Sequence, residues 1–143
     1  MTYTPKYYTS LDTARSIIKS NIRADLRDSL SDSYLEETVE HAEMYTDHFL
    51  VSGGFDVDSL STRQKADARN MATAHALLYV AGVLPLPPEE KRDYLTQNKE
   101  RLEEAERSFI KREFPSSQVE SQYRRMKPGY GREWFDDETE EFG

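Results

Sequence analysis

The hydrophobic pattern of this chain centres on Met71-Ala-Thr-Ala-His-Ala-Leu-Leu-Tyr-Val-Ala81, a run of helix formers with no Gly, Pro, Lys, Arg, Asp or Glu. A helix that lacks a charged face belongs in an interior. Apolar stripes at three- and four-residue spacing lie on either side of it, at Leu35 to Phe49 and Leu95 to Ile110, and supply the cover. The pattern predicts an all-α fold: a small bundle of about four helices around a central apolar helix over residues 1–114, then an extended C-terminal arm over residues 115–143.

Individual elements follow from caps and periods. A first helix runs from Leu11 to about Ser20, with Thr9 or Ser10 as cap and Leu11, Ala14, Ile17 and Ile18 on one face. Asn21 to Ser31 is polar, with Ile22, Leu26 and Leu30 at every fourth position, and reads as a loop or weak helical turn. Ser33-Tyr-Leu-Glu36 has capping-box spacing and predicts the start of a second helix. Its buried stripe is Leu35, Val39, Ala42, Tyr45 (or Thr46) and Phe49, with Glu36, Glu40, Glu43 and Asp47 on the other side and Gly53-Gly54 as the stop. Phe55 to Ser59 connects to a third helix that starts around Ser59 or Ser61 and ends at Gly82. Pro88-Glu-Glu opens a fourth, striped by Leu95, Asn98, Leu102, Ala105 and Phe109 and ended by Phe114-Pro115. Beyond Pro115 the glycines, prolines and scattered aromatics show no amphipathic period, the texture of a tail ordered only against a partner. Ser117 to Tyr123 alternates loosely enough to add a strand to a neighbouring sheet edge.

Composition narrows the function. At 143 residues, 36% hydrophobic and 32% charged, the chain suits one domain with part of its length outside the core. A net charge of −8 disfavours a free-standing nucleic-acid binder. With no cysteine there is neither disulfide nor thiolate chemistry. The N-terminal residues lack the apolar run of a signal peptide, and Ala76 to Val83 falls far short of a membrane span, so the expectation is a soluble protein with no membrane partner.

Candidate chemistry is sparse. His41 and His48 are seven apart, whereas a helical metal pair needs a spacing of three or four, and Glu-x-x-His pairs do not occur. Both read as surface or interface residues, and His75 reads as a core histidine. Asp56-Val-Asp58 lacks the EF-hand spacing and reads as a capping turn. Neither a nucleophile elbow nor a phosphate cradle is found, so no enzyme, cofactor or metal is expected. The charge of the tail is more informative. Residues 111–132 carry six basic side chains against two acidic ones, and residues 133–143 carry six acids and no base. Tyr123 and Tyr130 within the basic strip suit nucleic acid, but the acidic tip competes for the same cations, so a protein partner fits better. The partner-binding residues are then Tyr123, Arg124, Arg125, Tyr130, Arg132, Trp134 and Phe135, with Trp134 and Phe135 as anchors.

The order of features has a counterpart. Tyr3-Thr-Pro and a short helix at Leu11 precede the Asp-rich stretch Asp25 to Asp32. The helix Tyr34-Leu-Glu-Glu-Thr-Val-Glu-His-Ala-Glu-Met-Tyr-Thr-Asp-His-Phe49, a glycine loop and the Ala-rich helix ending Ala74-His-Ala-Leu-Leu-Tyr79 follow. Over roughly residues 3–110 this resembles the head-to-tail connector (adaptor, or head-completion) proteins of tailed viruses. The resemblance implies a non-enzymatic virion protein, assembled in the host cytoplasm as a homo-oligomeric ring, typically a dodecamer. Such a ring joins the portal protein to the tail or stopper protein, and DNA passes through it without sequence-specific binding. An acidic channel wall would let phosphates slide, and the loop bearing Asp56 and Asp58 is the expected channel-facing element. The competing expectation is a small acidic helical protein-binding or regulatory module with a partner-docking tail. A helical enzyme or metal-binding bundle is the more distant rival.

Overall fold

The computed structural model describes residues 2–127. It is an all-α bundle with five α-helices among the described residues: α1 (Leu11–Ser20), α2 (Asp32–Ser52), α3 (Thr62–Ala81), α4 (Pro88–Glu113) and α5 (Val119–Met126). Short 3-10 turns at Ala24–Ser29 and Ser116–Gln118 join α1 to α2 and α4 to α5.

The central position of α3 follows from its sequence. Every residue from Met71 to Leu77 is buried, and α3 packs on α1, α2 and α4. Its polar member Thr73 is satisfied inside: its hydroxyl donates to the Arg69 carbonyl at 2.8 Å and shares a 2.6 Å hydrogen bond with the Tyr8 hydroxyl. Ser61 and Gln64 form a reciprocal capping box at the start of α3. Pro88 opens α4, and the short Gly82–Pro87 link turns it back against α3.

The start of α2 differs from the expectation. Ser31, not Ser33, caps it, accepting the Tyr34 N–H at 3.1 Å, with Asp32 in the first turn at the positive end of the dipole. Glu36 is thereby released from a capping role, and its carboxylate accepts the Tyr3 N–H at 2.7 Å instead. Glu43 and Asp47 also depart from the predicted solvent face. Glu43 is buried and accepts the backbone N–H groups of Lys6 and Tyr7 at 2.8 Å each, together with the Tyr3 hydroxyl. Asp47 takes the Lys6 ammonium at 2.8 Å and the Tyr7 hydroxyl. Acids at positions 36, 43 and 47 therefore strap an otherwise extended N-terminal segment along the helix.

The larger correction concerns the boundary at 114/115. The bundle continues to Lys127. Residues 119–126 form α5 rather than a strand-like arm, and α5 packs on α2 and α4. Val119, Tyr123 and Met126 recur at four and three residues, so one helical face is apolar and buried. Room for it is made at the end of α2, where a Cβ on Gly53 would lie 2.5 Å from the Met126 Cε. Gly54 then takes φ +89, the left-handed turn that glycine adopts without strain.

Candidate functional site

A row of rings runs along the seam between α2 and α3, from half-buried Tyr34 and Tyr79 to buried His75. Tyr34 stacks on Tyr79 at 5.8 Å between centroids, His41 lies 4.6 Å from Tyr79 and 5.3 Å from His75, and Tyr45 stacks on His75 at 4.0 Å. Helical spacing produces the row: Tyr34, His41 and Tyr45 lie seven and four apart on α2, and His75 and Tyr79 four apart on α3. His75 is buried with its Nδ1 unpartnered, and desolvation, with His41 and Lys127 nearby, lowers its pKa to about 3. It is therefore a neutral core imidazole. His41 and His48 are exposed, as read from the sequence.

The row ends on a buried ion pair. Lys127 Nζ lies 2.7 Å from Glu106 Oε1, and the Tyr123 hydroxyl donates to the same oxygen at 2.9 Å. The Tyr45 hydroxyl reaches Glu106 Oε2 at 3.4 Å, and the rings of Tyr45 and Tyr123 flank the ammonium at 5.6 and 5.8 Å. Burial raises the Glu106 pKa, against the pull of Lys127 and Tyr123 in the other direction. Burial and the neighbouring Glu106 also push the Tyr123 hydroxyl up, so it stays a donor. Arg107 completes the group, lying 4.3 Å above the Tyr123 ring and pairing with Glu120 of α5. This arrangement holds the last turn of α5 against α4. Glu106, Tyr123 and Lys127 are buried, while the Arg107–Glu120 pair beside them reaches solvent.

Beside the rings, α2 presents large apolar side chains to solvent. Met44 is 62% exposed and Val51 58% exposed, seven residues apart on the face that also bears His41 and His48. Val83, after α3, is 51% exposed. Between α3 and α4 lies an open groove of about 560 Å³ lined by Asp67, Asn70, Glu100, Arg101, Glu104 and Arg112 among others.

Of the residues expected to bind a partner, Tyr123 is 0% exposed and belongs to the core, because its helix face is the apolar one. Arg124 and Arg125 are exposed on the outer face of α5. Tyr130, Arg132, Trp134 and Phe135 lie outside the described residues. Asp56 folds into its own turn, its Oδ1 accepting the Asp58 N–H and its Oδ2 the Ser59 hydroxyl, both at 3.0 Å. Asp58 is exposed. The buried acids Glu43, Glu106 and Asp67 escaped the sequence reading. The available signal for Glu106 was its position four after Leu102 and three before Phe109, inside the apolar stripe of α4.

Among the described residues no group of three or more His, Asp or Glu is placed to hold a metal ion. No helix among them is long and apolar enough to cross a membrane. Comparison with protein families, curated proteins and solved structures yields no match.

Proposed function

We propose that this chain is a structural subunit that acts by assembly: a head-to-tail adaptor of a tailed-virus particle. It would form a ring between the portal and the tail or stopper, with DNA passing through. The observation that carries an assembly role is the outward face of α2, where Met44 and Val51 stand in solvent beside a ready-made aromatic row. Met and aromatic side chains are enriched in protein interfaces, and apolar side chains at one helical spacing form a docking stripe. The viral setting rests on the resemblance of residues 3–110 to connector proteins. Tyr123 is buried in α5 and leaves the set of partner-binding residues, which keeps Arg124, Arg125, Tyr130, Arg132, Trp134 and Phe135, with Trp134 and Phe135 as the proposed anchors. The channel-facing role passes to Asp58, since Asp56 is engaged in its own turn.

The folding of α5 onto the bundle favours a second reading, a small acidic helical binding module in which the groove, not the arm, meets the partner. Negative-stain imaging of the full chain, alone and mixed with portal protein, separates the two. Rings of many copies are the expected result for the adaptor. A chain that stays monomeric and ignores portal sinks the adaptor reading and leaves the module.

A further inference from the structure

A cleft of about 360 Å³ lies where the 3-10 turn at Ala24–Ser29 and the Gly82–Pro87 link meet the first turns of α4. That volume is at the small end of the range for binding pockets. The floor is apolar: Ile22, Leu26 and Leu84 belong to the core, and Leu86 and Tyr94 are half-buried against it. The rim is charged, with Arg23, Glu90 and Asp93 all exposed. Arg23 is already engaged, its Nε 2.8 Å from Asp25 Oδ1 and its Nη1 3.7 Å from Glu90 Oε1. Asp93 takes part in no ion pair among the described residues. An apolar floor under a rim with an acidic excess fits an apolar side chain accompanied by a cation.

Two other clefts lack such a floor. The α3–α4 groove is walled by polar and charged side chains apart from Ala105, and the cleft between α1 and the start of α2 presents Arg15, Lys19 and Arg27 with Asp12 and Asp32. The matching sequence is in the chain itself. Tyr130, Arg132 and Trp134 occupy alternate positions. Along an extended segment alternate side chains share one side, about 6–7 Å apart, so two rings and a guanidinium are presented together while Glu133 turns the other way. Large aromatics are the usual anchors in interface pockets, and the planar fork of arginine matches a carboxylate. Distance selects which copy supplies the segment. Tyr94 and Glu106 are 12 positions apart on α4 (106 minus 94), about 18 Å of helix. Lys127 is held at Glu106, and the three residues from there to Tyr130 span about 11 Å at most, short of that distance.

We infer that the cleft at the start of α4 seats the segment from Tyr130 to Trp134 of a second copy of this chain. The two aromatics lie on the floor at Leu86 and Tyr94, and Arg132 pairs with Glu90 and Asp93 at the rim. This rests on the assembly reading above and specifies which surfaces of neighbouring copies meet. Arm and cleft are different surfaces of one subunit, so the contact runs head to tail and gives a ring when the rotation closes.

The test is sedimentation velocity on the full chain with each side of the contact altered in turn. Tyr130→Ala with Trp134→Ala spoils the arm, and Glu90→Arg with Asp93→Arg spoils the cleft. Each pair should weaken self-association by at least about tenfold. Mixing the two variants should then restore a single contact, the intact arm of one in the intact cleft of the other, and give a dimer with no larger species. Glu90 and Asp93 are exposed, so the bundle tolerates their replacement. Circular dichroism identifies a variant that fails to fold, and Glu90→Gln with Asp93→Asn then carries the test with a smaller loss. Self-association unaltered by either pair, or a mixture that yields no dimer, overturns the contact and leaves the assembly reading intact. A wild-type chain that remains monomeric at every concentration overturns both.

Discussion

Glu106 is the residue on which the C-terminal part of the bundle depends. Its carboxylate sits in the core and is tolerated because Lys127, Tyr123 and Tyr45 converge on it from three directions. Removing one partner of a buried pair is far worse than removing both. Lys127→Ala should therefore lower unfolding free energy by about 3–5 kcal/mol, while Glu106→Leu combined with Lys127→Met should lose much less. Urea denaturation of both variants checks this, and equal losses would show that the charge pairing is immaterial. His75 gives a pH signature. Its pKa is about 3 in the folded protein, against an ordinary imidazole value of 6.5. Between those values the unfolded chain binds the extra proton, so stability is full above about pH 6.5 and falls as the pH drops toward 3. The slope approaches about 1.4 kcal/mol per pH unit for a single such group. Replacing His75 with Phe should flatten the profile in that window relative to wild type. Parallel profiles would mean that the imidazole does not titrate on unfolding as described.

α5 shows where pattern reading succeeds and where it stops. The four larger helices were legible because each repeats its apolar spacing over several turns: the charge-free core of α3 announced its central place, and the stripe ending at Phe109 announced α4. In α5 the signal is only Val119, Tyr123 and Met126, one short face between Pro115 and Pro128, and the change in composition around it outweighs the period. Glu43 and Glu106 were illegible for another reason. A polar residue is assigned outward unless its partners are known, and these partners lie 36 residues away at the Tyr7 N–H and 21 away at Lys127. Two truncations test the element. A chain ending at Lys127 keeps every contact described above and should melt like wild type. One ending at Phe114 uncovers the core beneath Tyr123 and Met126, each worth about 1.5–3 kcal/mol, and strands Glu106 without its cation. That loss is comparable with the whole stability of a small domain, so its thermal transition by circular dichroism should be broad and far lower. Identical transitions for the two would place α5 outside the cooperative unit.

Across the whole molecule, two kinds of surface coexist and should respond to salt in opposite ways. The α3–α4 groove and the outer face of α5 are charged and solvent-facing, so a contact made through either weakens as salt screens it over roughly 8–10 Å at ordinary ionic strength. The α2 face is apolar at Met44 and Val51, and burial of such side chains is not screened. A chain with a net charge of −8 also repels its own copies at low salt. On the adaptor reading proposed above, the α2 face would meet a different protein, portal or stopper, rather than the neighbouring copy. Met44→Asp with Val51→Asp should then leave helical content and self-association as they are, since both side chains already stand in solvent, and remove partner capture even in high salt. Pull-down with portal protein across a salt series reads this directly. Capture that survives the double substitution, or that disappears with salt in the unaltered chain, would return the α2 face to the status of ordinary surface.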